Sequence, residues 1–220
     1  MTMYRDYWPR QRESFDLQWI RTVAPTTPVI TLQDMKDHAR ISQSNGDATL
    51  LRMIGAATES AEQYMNRGLL TQTWQVTLRW FADTIYLPMA APLQSVTSVK
   101  YYDTAGVLQT LATTYYDVDL VSRPGRILRA ANQSWPPLQS GKLLGRVQIT
   151  YVVGWATADL VPERIKQGIR LYVSWLDADR DGMDPNGERG RKAAESCWND
   201  QVYTIEPTQT PYGYGDSCLV

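Results

Sequence analysis

The stretch 47–76 constrains the fold more than any other part of this 220-residue chain, because its hydrophobic period changes within it from helical to β. Its first part places apolar or small residues at the three- and four-residue spacing of one helical face: Leu50, Ile54, Ala57, Ala61 and Tyr64, widened by Leu51, Thr58 and Met65. Asp47 is expected to cap this helix and Gly68 to supply the left-handed residue after it, which predicts a helix over about 48–66. The next residues alternate at period two, as in a half-buried strand: Trp74, Val76, Leu78 and Trp80. A core helix is therefore expected to lead directly into a strand.

The overall charge excludes function classes that depend on a strong global field. The net charge is −1, from 22 basic and 23 acidic residues, so no field would attract nucleic acid or an anionic membrane. No apolar run approaches the roughly 20 residues that a membrane-spanning helix needs, and the N-terminal residues lack the apolar stretch of a signal peptide. We therefore expect a protein that is made and kept in a cytoplasm, where Cys197 and Cys218 stay free thiols.

A shorter helix is predicted before the long one. Residues 1–16 show no clear period and are interpreted as an extension, and the prolines within 18–31 favour an extended lead-in. Thr31 and Asp34 have the spacing of a capping box, in which each residue satisfies a backbone N–H of the other. This pair predicts a first helix over about 32–40.

A third apolar face lies closer to the C-terminus. Pro162 stands where a first helical residue is expected, and a helical face follows it: Ile165, Ile169, Val173 and Leu176, flanked by Tyr172 and Trp175. A weaker helical pattern covers about 189–199. The residues from Tyr203 onward contain prolines and glycines and are interpreted as an extended tail.

Between these helices, residues 73–153 show the short period-two runs and frequent turn residues of a β region. The predicted strands are 74–80, 84–87, 96–102, 107–111, 116–120, 126–128 and 147–153, with a hairpin turn at 103–106. Six or seven short strands of this kind predict a small antiparallel sandwich or barrel.

The order of these signals predicts an α+β fold. We expect a small helical bundle core, built from two N-terminal helices and a returning third, with an inserted antiparallel β-sandwich or barrel-like lobe and extended termini. The predicted segments are an N-terminal extension (1–28), the first part of the helical core (29–72), the inserted β-lobe (73–158), the second part of the core (159–180) and a C-terminal region (181–220) with an acidic loop, a short helix and the tail.

The sequence holds no recognisable catalytic set. His38 is the single histidine, so Ser-His-Asp or Cys-His catalysis would have to run through it, and a solvated helix residue is the favoured interpretation. No carboxylate pair has a recognisable glycosidase context, and no glycine-rich phosphate loop occurs. The prediction is a protein that is not an enzyme and that uses no cofactor.

An acidic segment after the third helix matches the calcium loop of an EF-hand. The pattern D-x-D-x-D-G-x5-E is satisfied by five residues of the segment: Asp177, Asp179, Asp181, Gly182 and Glu188. Asp184 replaces the apolar residue through which EF-hands pair two loops, and Pro185 and Gly187 disfavour the start of an exiting helix. A solvated turn that binds no metal is therefore favoured, and a calcium-binding structural protein stays an alternative.

Two further kinds of residue group are candidate contact surfaces. Gly55, Ala56 and Ala57 form a smooth patch in the long helix, where a glycine is costly unless it permits close packing. Basic residues cluster at two places in the chain: Arg123, Arg126 and Arg129, and Arg189, Arg191 and Lys192. Surface solubility is the default interpretation of both clusters, and contact with DNA phosphates is the alternative.

A succession of short motifs runs along about residues 25–180. In order, the motifs are Pro28-Val-Ile-Thr-Leu-Gln-Asp-Met-Lys-Asp-His-Ala-Arg-Ile41, Asn66-Arg-Gly-Leu-Leu-Thr-Gln-Thr-Trp74, Leu87-Pro-Met-Ala-Ala-Pro-Leu-Gln-Ser-Val-Thr-Ser-Val99, Tyr102-Asp-Thr-Ala-Gly106, Trp135-Pro136, Tyr151-Val-Val-Gly-Trp155 and Val161-Pro-Glu-Arg-Ile-Lys-Gln-Gly-Ile169. Each motif is weak alone, and the ordered set is more specific. This succession resembles the head-to-tail connector, or adaptor, proteins of tailed bacteriophages and prophages.

The resemblance implies a structural virion protein with no catalytic residues to carry over. It implies a dodecameric ring below the portal that extends the DNA channel toward the tail. The implied partners are the portal protein, a tail-side neck protein (a stopper or tail terminator), other copies of the chain and DNA that passes through the channel non-specifically, with no membrane. The implied location is the neck of the virion at the head–tail junction, after assembly in the bacterial host cytoplasm.

The resemblance also assigns candidate contact residues. In related adaptors the C-terminal segment commonly reaches the portal, which makes six tail residues candidates for portal binding: Tyr203, Ile205, Pro207, Pro211, Tyr212 and Tyr214. The patch of Gly55, Ala56 and Ala57 becomes a candidate for packing inside the subunit or between subunits. The second basic cluster becomes a candidate for the wall of the DNA channel.

A β-sandwich module that binds a ligand such as a carbohydrate is the alternative from another class. Four aromatic residues are the candidate stacking platforms for it: Trp80, Tyr101, Tyr102 and Trp135. Because alternating strands already place many of these rings in a core, the carbohydrate-binding module is disfavoured, as is a hydrolase that uses Asp and Glu.

Overall fold

The computed structural model describes residues 17–141, 145–179 and 188–203. In chain order its strands and α-helices are β1 (Gln18–Val23), α1 (Leu32–Ala39), α2 (Asp47–Met65), β2 (Gln72–Leu78), β3 (Thr84–Tyr86), β4 (Leu93–Tyr102), β5 (Leu108–Thr110), β6 (Tyr116–Asp119), β7 (Arg126–Arg129), β8 (Val147–Val153), α3 (Glu163–Ala178) and α4 (Glu188–Trp198). After β1, helices thus precede and follow a region of antiparallel strands, which confirms a fold of mixed α and β structure.

The start of α1 is the predicted capping box. The Thr31 side chain accepts a hydrogen bond from the Asp34 backbone N–H at 3.0 Å, and the Asp34 carboxylate accepts one from the Thr31 backbone N–H at 3.0 Å. These two bonds satisfy donors that a helix start otherwise leaves unpaired. The helix ends when Arg40 adopts the left-handed conformation, with φ 56°.

The core face of α2 is largely as predicted. Its buried apolar residues share the predicted spacing: Leu50, Ile54, Ala57, Ala61 and Met65. Leu51 is 50% exposed, so its inclusion in the buried face is wrong. The buried stripe is therefore narrower on that side than the sequence pattern indicates.

Both predicted caps of α2 are wrong. Gly46 is the N-terminal cap, whereas Asp47 is the first helical residue and its carboxylate accepts from Lys36 Nζ at 2.9 Å. The helix closes on Asn66, with φ 53°, rather than on Gly68. Asparagine tolerates the left-handed region better than most residues, so it ends the helix before the glycine is reached.

The strands form two antiparallel sheets. The larger sheet has the order β1-β2-β8-β4-β5 and the smaller has the order β3-β7-β6. Central strand β8 alternates buried and half-buried residues along its length, as its period-two pattern predicts. β1 and β5 are the two edges of the larger sheet, so over the described ranges it does not close on itself and the predicted barrel is wrong. β1, expected only as an extended lead-in, is a strand that pairs with β2.

The helices and the strands build two separate hydrophobic clusters. All four helices contribute to the first, which includes Met35, Ile54, Ile165, Val173 and Trp198. Strands of both sheets contribute to the second, which includes Val76, Val99, Tyr116, Ile127 and Ile149. α3 therefore contributes to the same hydrophobic cluster as α1 and α2.

α3 and α4 complete the helical cluster. Pro162 was predicted to be the first helical residue of α3, but it is the N-terminal cap of this helix. Its fixed φ still suits the start of a helix. Ile165, Ile169 and Val173 are buried as predicted. α4 agrees with the predicted helix over about 189–199, and it packs against α3 through the fully buried Trp198.

Candidate assembly surfaces

A buried carboxylate joins the helices to the larger sheet. Glu62, on the last turns of α2, is 4% exposed. Its carboxylate accepts hydrogen bonds from the Leu69 backbone N–H at 2.8 Å and from Gln72 Nε2 at 2.6 Å, and Arg21 Nη1 of β1 lies 3.4 Å away. Burial is the largest cause that raises the pKa of Glu62, and these hydrogen bonds oppose the rise. The network fixes the end of α2 against both β1 and β2.

We expect Glu62→Ala to lower the free energy of unfolding by about 2–3 kcal/mol, because two buried donors lose their acceptor. Glu62→Gln keeps an acceptor oxygen for both donors and removes the buried charge, so its effect is expected to stay within about 1 kcal/mol. Denaturant unfolding at pH 7 measures both values, and equal losses in the two variants would contradict this account.

A comparison of the original protein with Glu62→Gln tests the direction in which the pKa of Glu62 is shifted. A raised pKa in the folded state means that the folded state binds a proton more readily than the unfolded state. As the pH falls from neutral toward the ordinary glutamate pKa, the original protein is therefore expected to gain stability relative to Glu62→Gln. Unfolding curves across this pH range give the sign directly.

A fully buried arginine follows directly after α2. Arg67 is 0% exposed, and its Nε donates to the Ala91 carbonyl oxygen at 2.7 Å. Its guanidinium lies over the rings of Trp155, at 4.5 Å from the centroid, and Tyr203, at 5.0 Å. Burial is the largest cause that lowers the pKa of Arg67, to about 10, so the side chain remains a cation at neutral pH. Cation–π contacts of this kind are strongest where water is excluded.

The residues after α4 lie on this arginine. Arg67 Nη1 donates to Gln201 Oε1 at 3.0 Å, and the Tyr203 backbone N–H donates to the Met65 carbonyl oxygen at 3.1 Å. The Asn66 side chain donates to the Tyr203 carbonyl oxygen at 3.1 Å. Residues 199–203, which we call the root of the C-terminal segment, are thus held at the end of α2.

The predicted portal-binding residues begin at this root. Tyr203 is the one member of that set within the described residues, and it packs on Arg67. The other five lie outside the described residues: Ile205, Pro207, Pro211, Tyr212 and Tyr214. Their role in portal binding stays a prediction.

The small-residue patch of α2 faces outward for two of its three members. Gly55 and Ala56 are exposed, and a Cβ on Gly55 would have nothing within 4 Å, whereas Ala57 is buried in the helical cluster. For the described part of the chain, the prediction that Gly55 packs closely inside the subunit is therefore wrong. Contact of Gly55 and Ala56 with another subunit stays a prediction.

The second basic cluster lies on α4. Arg191 pairs with Glu195 at 2.7 Å and Lys192 with Glu188 at 2.7 Å, each one helical turn apart, while Arg189 is exposed. Surface ion pairs of this kind contribute little stability, and they offset the charge that a DNA phosphate would otherwise meet. The candidate role at the channel wall stays a prediction.

The first basic cluster belongs to the smaller sheet and its turns. Arg126 pairs with Asp119 at 2.9 Å, and Arg129 with Asp83 at 2.7 Å. Hydrogen bonds, chiefly from Ser122, hold the pKa of Asp119 well below its ordinary value. Two of the three arginines are therefore occupied by local ion pairs.

Part of the acidic segment lies outside the described residues. Asp177 lies in the last turn of α3, Asp179 caps that helix and Glu188 begins α4, whereas Asp181 and Gly182 are among the residues not described. Across the ranges that the structure covers, no group of three His, Cys, Asp or Glu side chains is close enough to hold a metal ion. The calcium alternative therefore gains no support from the described residues.

The single histidine and two of the four candidate stacking rings lie in different surroundings. His38 lies on the exposed side of α1, as a solvated helix residue would. Trp135 stacks on Phe81 at 4.5 Å and Tyr101 packs edge-on against the same ring at 6.0 Å. Both rings thus pack against Phe81, which favours a role in the β cluster over a flat platform for a carbohydrate.

Sequence reasoning missed Glu62 and Arg67. Both lie within the stretch 47–76, but charged residues near a helix end are usually solvated. The signal that was available is the short sequence Asn66-Arg67-Gly68 between a core helix and a strand, where the chain has little room to keep a long side chain in solvent.

Residues 29–105, which run from before α1 to the turn after β4, match the family model described as "Phage gp6-like head-tail connector protein". This match confirms the resemblance that the ordered sequence motifs indicated. No curated protein sequence matches the chain.

Three similar solved structures share the fold along most of the chain. The neck of an empty gene transfer agent (GTA) particle, computed with C6 symmetry, has a chain with a TM-score of 0.68 and 21% identity, which covers 88% of this chain and 100% of that one. A chain of the native GTA virion has a TM-score of 0.67 and 22% identity, with coverage of 88% and 100%. A chain of the native GTA neck computed with C12 symmetry has a TM-score of 0.63 and 21% identity, with coverage of 87% and 100%. At this identity the likeness establishes a common fold.

Within the described ranges, none of the helices combines the length and apolar character needed to cross a membrane.

Proposed function

We propose that this protein is a structural component of a virion neck and forms an adaptor ring between the portal and the tail. The observation that carries the proposal is the match of residues 29–105 to the head-tail connector family. The fold shared with chains of GTA necks, one of them computed with C12 symmetry, supports a ring and a dodecamer as its size. In this role the protein acts through contacts with other proteins and catalyses no reaction.

The partners follow from this role. The ring binds the portal on one side and a tail-side neck protein, a stopper or tail terminator, on the other, and DNA passes through its channel without sequence recognition. Assembly takes place in the host cytoplasm, and the finished ring resides at the head–tail junction of the virion. Repeated subunits multiply weak contacts, so each subunit needs only a small contribution from its own C-terminal segment.

The proposed subunit has a helical core and a β-lobe. Segments 29–72 and 159–180 form the helical core, to which α4 adds Ala194 and Trp198, and the β region 73–158 is mounted on it as an inserted lobe. The separate hydrophobic clusters of the helices and strands support this division. Gly55 and Ala56, exposed on α2, are the proposed contact with a neighbouring copy, and Arg189, Arg191 and Lys192 are the proposed channel residues.

Removing residues 204–220 is expected to abolish portal binding and to leave the folded body intact. The truncation keeps Tyr203 and its contacts with Arg67 and Asn66, so the helical and β clusters lose none of the interactions described above. Sedimentation of the chain with portal rings measures binding, and circular dichroism measures the fold. A truncated chain that still binds portal with the original affinity would show that the segment is not the portal contact.

The mass of the assembled complex tests whether the chain forms a ring. Native mass spectrometry of the full chain with portal is expected to show a closed oligomer on the portal ring. Binding to a glycan column by a protein that never associates with portal would instead support the carbohydrate-binding module.

A further inference from the structure

The root of the C-terminal segment is bound to the body through a built site rather than by surface contacts. Arg67 is the centre of this site: it donates to the Ala91 carbonyl oxygen at 2.7 Å and to Gln201 Oε1 at 3.0 Å, and its guanidinium faces the rings of Trp155 and Tyr203. The arginine comes from the body and contacts both the body and the root. Among the side chains that join the body to the root, Arg67 is the fully buried one.

Backbone hydrogen bonds extend the same contact. The Tyr203 N–H donates to the Met65 carbonyl oxygen, which is among the last carbonyls of α2 and has no partner within the helix pattern. The Tyr203 carbonyl oxygen accepts from the Asn66 side chain, and the Tyr64 hydroxyl bonds to the Asn199 side chain. The root thus supplies a hydrogen-bond donor to one of the last carbonyls of α2, which is capped by Asn66.

The chemistry of Arg67 explains why an arginine occupies this position. No carboxylate within the described residues pairs with it, its Nη2 is buried without a hydrogen-bond partner there, and the positive charge of Arg123 acts on it unfavourably. The buried charge is therefore balanced by π faces and carbonyl oxygens, which a planar guanidinium can contact simultaneously. Loss of the Tyr203 ring would remove one of the two π faces that stabilise the buried guanidinium of Arg67.

We propose that Arg67 is a positioning residue: it clamps residues 199–203 onto the body, fixes where the C-terminal segment leaves the subunit, and thereby sets the affinity of that segment for the portal. The part that concerns portal rests on the proposed function. The exit point lies at the junction of the helical and β clusters, beside the loop that contains Met89 and Ala91. A segment that starts from a fixed point loses less conformational entropy when it binds than one that starts from a released point.

The test uses Arg67→Met in the full-length chain, with hydrogen exchange at the Tyr203 amide and portal affinity as two separate readouts. Protection of this amide is expected to be lost, and portal affinity to fall by about tenfold or more, since binding must then order the released root. Arg67→Lys keeps a charge over the rings but cannot reproduce both donor contacts. This variant is therefore expected to retain only part of the protection of the Tyr203 amide.

Arg164→Gln is the matched control. Arg164 also contacts the residues that follow α4, through an ion pair with Asp200 at 2.8 Å, but both side chains are about half exposed. This variant is expected to leave protection of the Tyr203 amide and portal affinity unchanged. A loss as large as that of Arg67→Met would show that any contact to the segment matters equally, which overturns the special role of Arg67.

Other results separate the clamp from the portal role. Unchanged Tyr203 protection in a folded Arg67→Met protein overturns the clamp, and lost protection with unchanged portal affinity overturns its effect on binding. If Arg67→Met does not fold, Tyr203→Ala removes the ring from the other side and keeps the backbone N–H at position 203, and retained protection of that amide, which donates to the Met65 carbonyl oxygen, overturns the clamp. If the chain without residues 204–220 still binds portal, the proposed function of the segment fails while hydrogen exchange still decides the clamp.

Discussion

Replacing Trp198 with alanine is expected to lower the free energy of unfolding by about 3–5 kcal/mol, the range typical of a large aromatic side chain removed from a core. Trp198 is 1% exposed, and its Nε1 donates to the Ile165 carbonyl oxygen at 3.2 Å. Its ring also packs against Tyr64 and Tyr172, each at 5.8 Å between centroids. Alanine would leave a cavity and would remove this hydrogen bond between α4 and α3. Denaturant unfolding monitored by circular dichroism measures the loss.

Two comparisons make this expectation specific. Trp80→Ala removes the same kind of side chain from a site that is 38% exposed and is expected to lower the free energy of unfolding much less, by about 1 kcal/mol.

Gly168 provides a test of direct packing against Trp198, because a Cβ at position 168 would lie 2.2 Å from Trp198 Nε1. Gly168→Ala is therefore expected to be destabilising in the original protein and nearly neutral beside Trp198→Ala. Additive effects would contradict direct packing between these residues.

Replacing Gly154 with alanine is expected to lower the free energy of unfolding by at least about 3 kcal/mol, from backbone strain and overpacking together. Gly154 has φ +94°, and a Cβ there would lie 2.2 Å from the Leu70 carbonyl oxygen. The backbone around it is fixed by a hydrogen bond from the Trp155 N–H to the Leu69 carbonyl oxygen at 2.9 Å. Because the obstacle is backbone rather than a movable side chain, the clash cannot be relieved locally.

Gly55→Ala is the control for this glycine. Gly55 lies within α2, and a Cβ there would have nothing within 4 Å, so the substitution is expected to stabilise the isolated subunit by about 0.5–1 kcal/mol through helix propensity. Unfolding of the monomeric protein measures both glycine variants. A similar loss in the two would mean that neither the left-handed backbone nor the close approach at Gly154 is the cause.

Periodicity predicted the elements that bury one continuous face. The apolar spacing of α2 and α3 and the alternation of β8 arise from the same burial that holds these elements in place, so the sequence pattern and the structure agree. The capping box of Thr31 and Asp34 was also predictable, because its two hydrogen bonds are local to one turn.

Features that depend on distant partners were not predictable. β1 is exposed along most of its length and carries no clear alternation, so only its pairing with β2 makes it a strand. The burial of Arg67 depends on Trp155 and Tyr203, which are far away in sequence. Gly55 shows the opposite error: a glycine in a helix suggested close packing, whereas the subunit leaves it in the open.

The pairing of β2 with β8 places the entry and exit of the intervening chain side by side. Leu78 at the end of β2 is the register partner of Val147 at the start of β8. Residues 79–146 therefore leave and rejoin the rest of the molecule at neighbouring points, an arrangement that tolerates insertion and exchange of a whole segment. A change in the length of this segment is therefore expected to leave the β2–β8 ladder and the helices in place.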